Sequence, residues 1–169
     1  VGMYVVEETA GLASRMTRRL RKKGWTISTA ESCTGGLIGA ACTKRSGSSQ
    51  WYVGGCVTYA NRLKNHLLGV SNVTLESNGA VSLEVAKEMA HGVAKICEAE
   101  VSISTTGIAG PTGGTKKKPV GMICIGCHAY GKTHASTFHF QGDRQSIREQ
   151  TVSTALQMCL DILRGGSNE

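Results

Sequence analysis

Helix-like and strand-like segments alternate along most of this chain, and this alternation constrains its fold more than any other feature of the sequence. Apolar residues at helical spacing predict helices over residues 4–23, 37–43, 61–68, 82–97 and 144–163. Short runs that are apolar, or that alternate between apolar and polar residues, predict strands at residues 25–30, 51–59, 101–104, 120–130 and 133–140. Helices that alternate with strands are typical of a sheet with parallel strands and helices on both faces.

The last two predicted strands are separated only by Gly131 and Lys132. Such a short connection predicts a β-hairpin, and therefore an antiparallel pair within the sheet. We thus predict an α/β fold with a mixed sheet of about five strands covered by helices. The chain has 169 residues, without an internal linker or repeat, so we expect a single domain over residues 1–169. Ligand sites of such sheets form at the carboxyl ends of the parallel strands.

Composition argues against several classes of protein. No apolar run approaches the roughly 20 residues of a membrane span, and the first residues lack the pattern of a signal peptide, so we expect a cytoplasmic protein without a membrane partner. Seven cysteines are an odd number, which argues against a disulfide framework. Cys124 and Cys127 form a CxxC pattern, but in a strand they point to opposite faces, and we assign them to the core. No metal-ligand spacing is present, and neither metal nor cofactor is expected.

The formal net charge of +7 is distributed unevenly, because six of the 19 basic residues lie within residues 15–23 and three more form the run 116–118. A solvated helix face explains the first cluster better than a nucleic-acid site, since no nucleic-acid-binding motif accompanies it. We therefore expect no nucleic-acid partner. An anionic small-molecule substrate is compatible with this balance of charge.

A hydroxyl-rich turn follows the second predicted element, in the sequence Glu31-Ser32-Cys33-Thr34-Gly35-Gly36. A serine between a strand and a helix start lies where backbone N–H groups favour negative charge, which suits a nucleophile beside an oxyanion hole. A simple helix cap at Ser32 or Thr34 is the alternative, and the local motif by itself favours it. The motif alone leaves both interpretations open.

A serine nucleophile needs a base, and the histidines of this chain form no Ser-His-Asp pattern. Lys64 is the remaining candidate, because it begins a short helix directly after the strand that ends in Tyr59. An ordinary lysine has a pKa of about 10.4, so the site would have to lower it by roughly 3 units. Burial beside Arg144 or Arg148 would supply that shift. A solvated helix lysine is the alternative.

Two further segments favour an anionic ligand. Residues 105–114 contain four glycines around Pro111, which lets a loop direct several N–H groups at a phosphate or carboxylate, although a plain flexible loop has the same composition. Arg144 and Arg148 lie four residues apart at the start of the last helix, where cations oppose the helix dipole unless an anion bridges them.

Taken together, four ordered motifs resemble the CinA C-terminal domain family, the nicotinamide mononucleotide (NMN) deamidases, over about residues 5–165. The motifs are residues 30–36, 59–64 with 67–70, 106–111 with 113–114, and 142–144 with Arg148. The resemblance implies a three-layer α/β/α sandwich. It also implies hydrolysis of the carboxamide of NMN to nicotinate mononucleotide and ammonia, a step of pyridine-nucleotide (NAD) recycling, by a homo-oligomer, a dimer or larger.

The same resemblance implies roles for individual residues. Ser32 would be the nucleophile, Lys64 the general base, and Tyr59 a hydroxyl that orients or relays a proton, with the oxyanion held by the helix start at residues 34–36. The implied substrate-binding residues are Glu31, Thr34, Gly35, Gly36, Asn61, Thr106, Gly107, Ala109, Gly110, Gly113, Gly114, Arg144 and Arg148. The alternative is a catalytically silent nucleotide-binding domain or a competence-related accessory domain.

Overall fold

The structure, a computed structural model, describes the backbone of residues 2–166 and the side chains of residues 8–166. The helices are α1 (Gly2–Lys23), α2 (Leu37–Thr43), α3 (Asn61–Leu68), α4 (Asn72–Asn78), α5 (Leu83–Cys97) and α6 (Arg144–Gly165), with a 3-10 turn at Ser48–Gln50. The strands are β1 (Ile27–Glu31), β2 (Tyr52–Val57), β3 (Val101–Gly107), β4 (Met122–Ala129) and β5 (Lys132–His139).

The strands form one mixed sheet in the order β2-β1-β3-β4-β5. Strands β2, β1 and β3 are parallel, whereas β4 and β5 are antiparallel to their neighbours. Helices α1, α2 and α6 cover one face, where the larger hydrophobic core lies, and α5 covers the other face, with α3 and α4 packed against it. The predicted α/β fold, a five-stranded mixed sheet with helices on both faces, is confirmed.

Strand β3 approaches α5 closely, because hydroxyls of the strand bond to the helix backbone. Ser102 and Ser104 donate to the carbonyl oxygens of Ala90 and Ala86 at 2.5 and 2.6 Å. On β4, a side chain at Gly126 would place its Cβ 2.5 Å from the same Ala86 oxygen. Only glycine fits at that distance, so the helix and the sheet are held together at a fixed spacing. This contact fixes the position of β3, whose carboxyl end borders the candidate site.

The helix boundaries follow the predicted ones closely for α2, α3 and α5, and Ser82 caps α5 by accepting from the N–H of Val85. Helix α4 was not predicted, because residues 72–78 lack an apolar stripe; its start is fixed by Ser71, which accepts from the N–H of Val73. No helix within residues 2–166 is both long enough and apolar enough to span a membrane.

Two strand predictions require correction. Strand β3 continues to Gly107, three residues beyond its predicted end, because its last residues pair with β4 instead of opening a loop. The hairpin turn is centred on Tyr130 and Gly131, not on Gly131 and Lys132, since Lys132 already pairs with Ala129. Tyr130 has a φ of 54°, a left-handed conformation that a sequence pattern assigns first to glycine.

Candidate functional site

Ser32 lies at the carboxyl end of β1, in the middle of the parallel part of the sheet. It is 8% exposed, and its N–H donates to the carbonyl oxygen of Thr105 at 3.0 Å. Residues 33–36 form a tight turn before α2, in which Gly36 has a φ of 110° that other residues adopt only with strain. The candidate nucleophile therefore lies on a rigid turn, five residues before the helix begins.

Lys64 reaches Ser32 from α3 and is almost completely buried, with 1% of its surface exposed. Its Nζ contacts Ser32 Oγ at 2.9 Å, the Thr58 carbonyl oxygen at 2.8 Å and the Tyr59 carbonyl oxygen at 3.2 Å. A neutral amine has two N–H donors and one lone pair. The two carbonyl oxygens can accept both donors, which leaves the lone pair facing the hydroxyl of Ser32.

Burial lowers the pKa of Lys64 from 10.5 to about 8, because desolvation disfavours the charged ammonium. The expected effect of burial is confirmed, but neither Arg144 nor Arg148 contributes to the shift in this pKa. The arginine side chains contact other groups: Arg144 donates to the carbonyl oxygen of Gly110, and Arg148 to that of Cys33. The base candidate is therefore activated by the protein interior rather than by positive neighbours.

Glu31 precedes the nucleophile and holds the turn from inside the protein. It is 2% exposed, and its carboxylate accepts from the N–H groups of Ile38 and Gly39 at 2.9 and 3.0 Å and from the Thr34 hydroxyl at 2.6 Å. Thr34 is also buried, and its hydroxyl contacts that of Thr105 at 2.8 Å. Both residues were predicted to bind substrate; the structure instead buries their side chains in a network that fixes the turn.

This network changes which N–H groups can face an oxyanion. The first turn of α2 is occupied, because Glu31 accepts from Ile38 and Gly39, and the Leu37 N–H donates to the carbonyl oxygen of Thr34. The N–H groups of Thr34 and Gly36 have no acceptor among residues 2–166. The N–H groups that remain free therefore belong to the turn that follows Ser32 and not to the first turn of α2.

Arg148 braces this turn from α6. Its Nε donates to the carbonyl oxygen of Cys33 at 3.1 Å, and its Nη2 donates to the carbonyl oxygen of Thr34 at 3.3 Å. The Cys33 carbonyl and the Thr34 N–H belong to the same peptide unit. A cation on the carbonyl polarises that unit and makes its N–H a stronger donor. Arg148 thus contacts the backbone of the turn.

Tyr59 and Arg144 form a second unit at the mouth of the site. Tyr59 is 59% exposed, and its hydroxyl accepts from Arg144 Nη2 at 3.0 Å, while Arg144 Nη1 donates to the carbonyl oxygen of Gly110 at 2.8 Å. Lys64 contacts the backbone carbonyl of Tyr59, not its hydroxyl. The Tyr59 hydroxyl is therefore engaged by Arg144 and forms no hydrogen bond to Ser32 or Lys64 within the described part of the chain.

The other predicted substrate residues fall into two groups. Thr106 and Ala109 are buried; Thr106 donates to the carbonyl oxygen of Ala80 and so points into the protein. Gly107 is half-buried and, like Gly110, lies where a Cβ would collide with a neighbouring side chain. The exposed members of the set are Gly35, Asn61, Gly113 and Gly114, and Gly36 is half-buried beside them in sequence.

One contributor to the site was missed by the sequence analysis. Thr58 is fully buried, its carbonyl oxygen accepts from Lys64, and its hydroxyl has no partner among the described residues. Its position follows from the register, since Val57 pairs with Glu31 and the Thr58 N–H donates to the Glu31 carbonyl. The residue that follows β2 is therefore the neighbour of the residue that follows β1, and a correct register would have identified it.

Comparisons with known proteins place most of this chain in one sequence family. Residues 9–163 match the CinA C-terminal domain. The chain is 51% identical over 153 residues to a CinA-like protein of Endomicrobium trichonymphae and 47% identical over 142 residues to one of Leptospira biflexa, which covers 90% and 83% of this chain. It spans only 35% and 34% of the length of those relatives.

Solved structures agree over almost the whole length of the chain. The competence/damage inducible protein CihA of Agrobacterium tumefaciens matches with a TM-score of 0.89 and 42% identity, over 93% of this chain and 96% of that protein. A CinA superfamily protein of Klebsiella pneumoniae matches with a TM-score of 0.89 and 32% identity, over 93% and 98%.

Proposed function

This chain belongs to the CinA C-terminal domain family, and on that premise we propose that it is an amidohydrolase that converts NMN to nicotinate mononucleotide and ammonia in NAD recycling. The choice of NMN rests on the family resemblance of the motifs. The observation that carries the chemistry is the 2.9 Å contact between Ser32 Oγ and the Nζ of a buried lysine whose pKa lies near 8. Such a pair is the arrangement that an activated serine needs when no histidine is available.

Acylation begins with the neutral form of Lys64. Its lone pair accepts the proton of Ser32 as Oγ attacks the carboxamide carbon, which forms the C–O bond and places negative charge on the former carbonyl oxygen. The N–H groups of Thr34 and Gly36 stabilise that oxygen. The Lys64 ammonium then delivers its proton to the amide nitrogen, the C–N bond breaks, and ammonia leaves.

Deacylation reverses this relay. Lys64, neutral again, takes a proton from water as the water oxygen attacks the ester carbon. The Ser32 oxygen leaves and recovers its proton from Lys64, so that the enzyme is restored and one water has been consumed for each ammonia released. The carbonyl oxygens of Thr58 and Tyr59 hold Nζ in place through both halves of the reaction.

Residues at the mouth of the site bind the substrate. Arg144 is exposed and donates two hydrogen bonds to protein groups, which leaves further guanidinium N–H groups for the phosphate of a mononucleotide. The exposed ring of Tyr59, held by Arg144, offers a flat apolar surface for the pyridine ring. The positive net charge of the chain attracts an anionic substrate to this mouth.

The experiment is ammonia release from NMN by chelator-treated protein, measured for wild type, Ser32→Ala, Lys64→Met and the matched control Lys87→Met, which removes an exposed lysine of α5. We expect wild-type and Lys87→Met turnover to agree within twofold. Turnover by the two site variants should fall at least about 1,000-fold, as it does in serine hydrolases when the nucleophile or base is removed. Turnover by Ser32→Ala within tenfold of wild type would refute the mechanism, and NMN binding without any ammonia would identify a silent nucleotide-binding domain.

A further inference from the structure

A second concave site lies at the opposite end of the sheet from Ser32. A groove of about 650 Å³ runs between the second half of α1 and the segment from residue 45 to residue 51. Its floor includes Trp51, whose carbonyl oxygen accepts from the N–H of Ile27, the first residue of β1. Ser32 follows the last residue of the same strand, so β1 separates the groove from the candidate active site. The volume is within the range of small-molecule sites, about 300–1,000 Å³.

Four cationic side chains line this groove: Arg18, Arg21, Lys22 and Arg45. No acidic residue is among the lining residues. In the part of the chain that the structure describes, the side chains of Arg18, Lys22 and Arg45 form no hydrogen bond, ion pair or ring contact, and the Arg21 guanidinium lies 6.0 Å from the centre of the Trp51 ring. Four like charges around one concavity repel each other, and no carboxylate among the described residues lines the groove to offset that repulsion.

The helix dipole explains only part of this cluster. Arg21 and Lys22 lie in the last turn of α1, where cations are favourable. Arg18 lies outside that last turn, and Arg45 belongs to a different segment, after α2, so the dipole of α1 accounts for neither. Their convergence on one groove is the feature that points to an external anion.

We propose that this groove binds an oligophosphate chain, either free or as the backbone of a nucleic acid, which revises the expectation from sequence that the cluster within residues 15–23 is only a solvated helix face. Guanidinium groups match phosphate oxygens in paired hydrogen bonds, and the groove supplies three of them. Ser46 and Gln50 add neutral donors along the same wall. Trp51 is only 4% exposed and forms the floor instead of a stacking surface, which favours recognition of phosphates over bases.

The test uses Trp51 as its own reporter. The chain has two tryptophans, and Trp25→Phe leaves Trp51 as the only one. Fluorescence of this protein is titrated with inorganic tripolyphosphate and, separately, with a twelve-nucleotide oligothymidylate. The double variant Arg18→Gln/Arg45→Gln is compared with Lys116→Gln/Lys117→Gln, which removes the same charge from the other basic cluster. Thermal melting checks that each variant folds, and Arg45→Gln alone serves if the double variant does not.

We expect a saturable change in Trp51 fluorescence. The affinity derived from it should be at least tenfold weaker in the arginine variant and less than twofold weaker in the lysine variant. With the oligonucleotide, four contacts predict a slope of about −2.8 in log K against log salt, falling to about −1.4 in the arginine variant. Saturation by tripolyphosphate identifies a free oligophosphate, and saturation by the oligonucleotide alone identifies a nucleic-acid backbone. Equal weakening by both variants, or no saturable change with either probe, overturns the proposal. Neither outcome depends on ammonia release.

Discussion

Because Lys64 is buried, we expect Lys64→Met to lose activity and yet to be more stable than wild type at pH 7. In the folded protein the pKa of Lys64 is about 8, against 10.5 for an ordinary lysine. Below pH 8 both the folded and the unfolded chain carry the charge, so the folded state bears the full penalty of burying it. A difference of 2.5 units corresponds to roughly 3 kcal/mol at 1.36 kcal/mol per unit.

The sign of the pH dependence is fixed by proton binding. Between pH 8 and 10.5 the unfolded chain binds the proton and the folded chain does not, so the wild type gains stability as pH rises through that window. By pH 10 the gain is about 2.5 kcal/mol. At pH 7, Lys64→Met loses the buried charge but leaves the Thr58 and Tyr59 carbonyls without a donor, at about 1 kcal/mol each. We therefore expect the variant to be about 1 kcal/mol more stable than wild type at pH 7.

Urea unfolding of wild type and Lys64→Met at pH 7 and pH 10 measures this directly. The difference in free energy of unfolding should move by about 2.5 kcal/mol in favour of wild type between the two pH values. For Lys87→Met, on the exposed face of α5, the difference from wild type in free energy of unfolding should be the same at pH 7 and pH 10. A change below about 0.5 kcal/mol for Lys64→Met would refute the burial-lowered pKa on which the reasoning depends.

Three further predictions concern the residues around the turn and the sheet. Glu31→Gln should lower kcat about tenfold with little change in KM, because it weakens the bonds that fix the turn; an altered KM with normal kcat in steady-state kinetics would assign Glu31 to substrate binding instead. Arg148→Met should lower kcat, whereas Arg144→Met should raise KM for NMN, and the reverse pattern would exchange their roles. Gly126→Ala should destabilise the fold by about 2–3 kcal/mol, since its Cβ would lie 2.4 Å from Ser104 Oγ. Thermal unfolding measures this, and an unchanged melting temperature would contradict the tight contact of β4 with α5.

Much of the fold could be predicted because the residues that begin and end its helices lie next to those helices in the sequence. Glycines at positions 35–36 and 69 mark the start of α2 and the end of α3, and Ser82 caps α5, which begins one residue after the predicted helix. Helix α4 could not be found this way, since it is short and polar and its start depends on the Ser71 cap. The end of β3 was missed because Thr105 and Thr106 resemble loop residues until β4 pairs with them.

The sequence predicted which residues meet at the candidate site, but not the buried hydrogen bonds that support them. Ser32 and Lys64 follow adjacent parallel strands, so the topology brings them together at 2.9 Å. The family resemblance implies a substrate-binding role for Glu31, but no sequence pattern predicted that its carboxylate accepts from the amides of a helix that begins six residues later. Such a contact depends on the path of the intervening turn, and no spacing rule for helix caps includes it.

The pH dependence of kcat/KM for ammonia release from NMN reports the protonation state of Lys64 in the free enzyme, and so tests whether neutral Lys64 is the base. With a pKa of about 8, the neutral fraction rises about 90-fold between pH 6 and pH 9. We expect kcat/KM to rise about ninefold from pH 6 to pH 7 and about fivefold from pH 7 to pH 8, and to level off above pH 9. A rate independent of pH across that range, or the same profile in Lys64→Met, would contradict it.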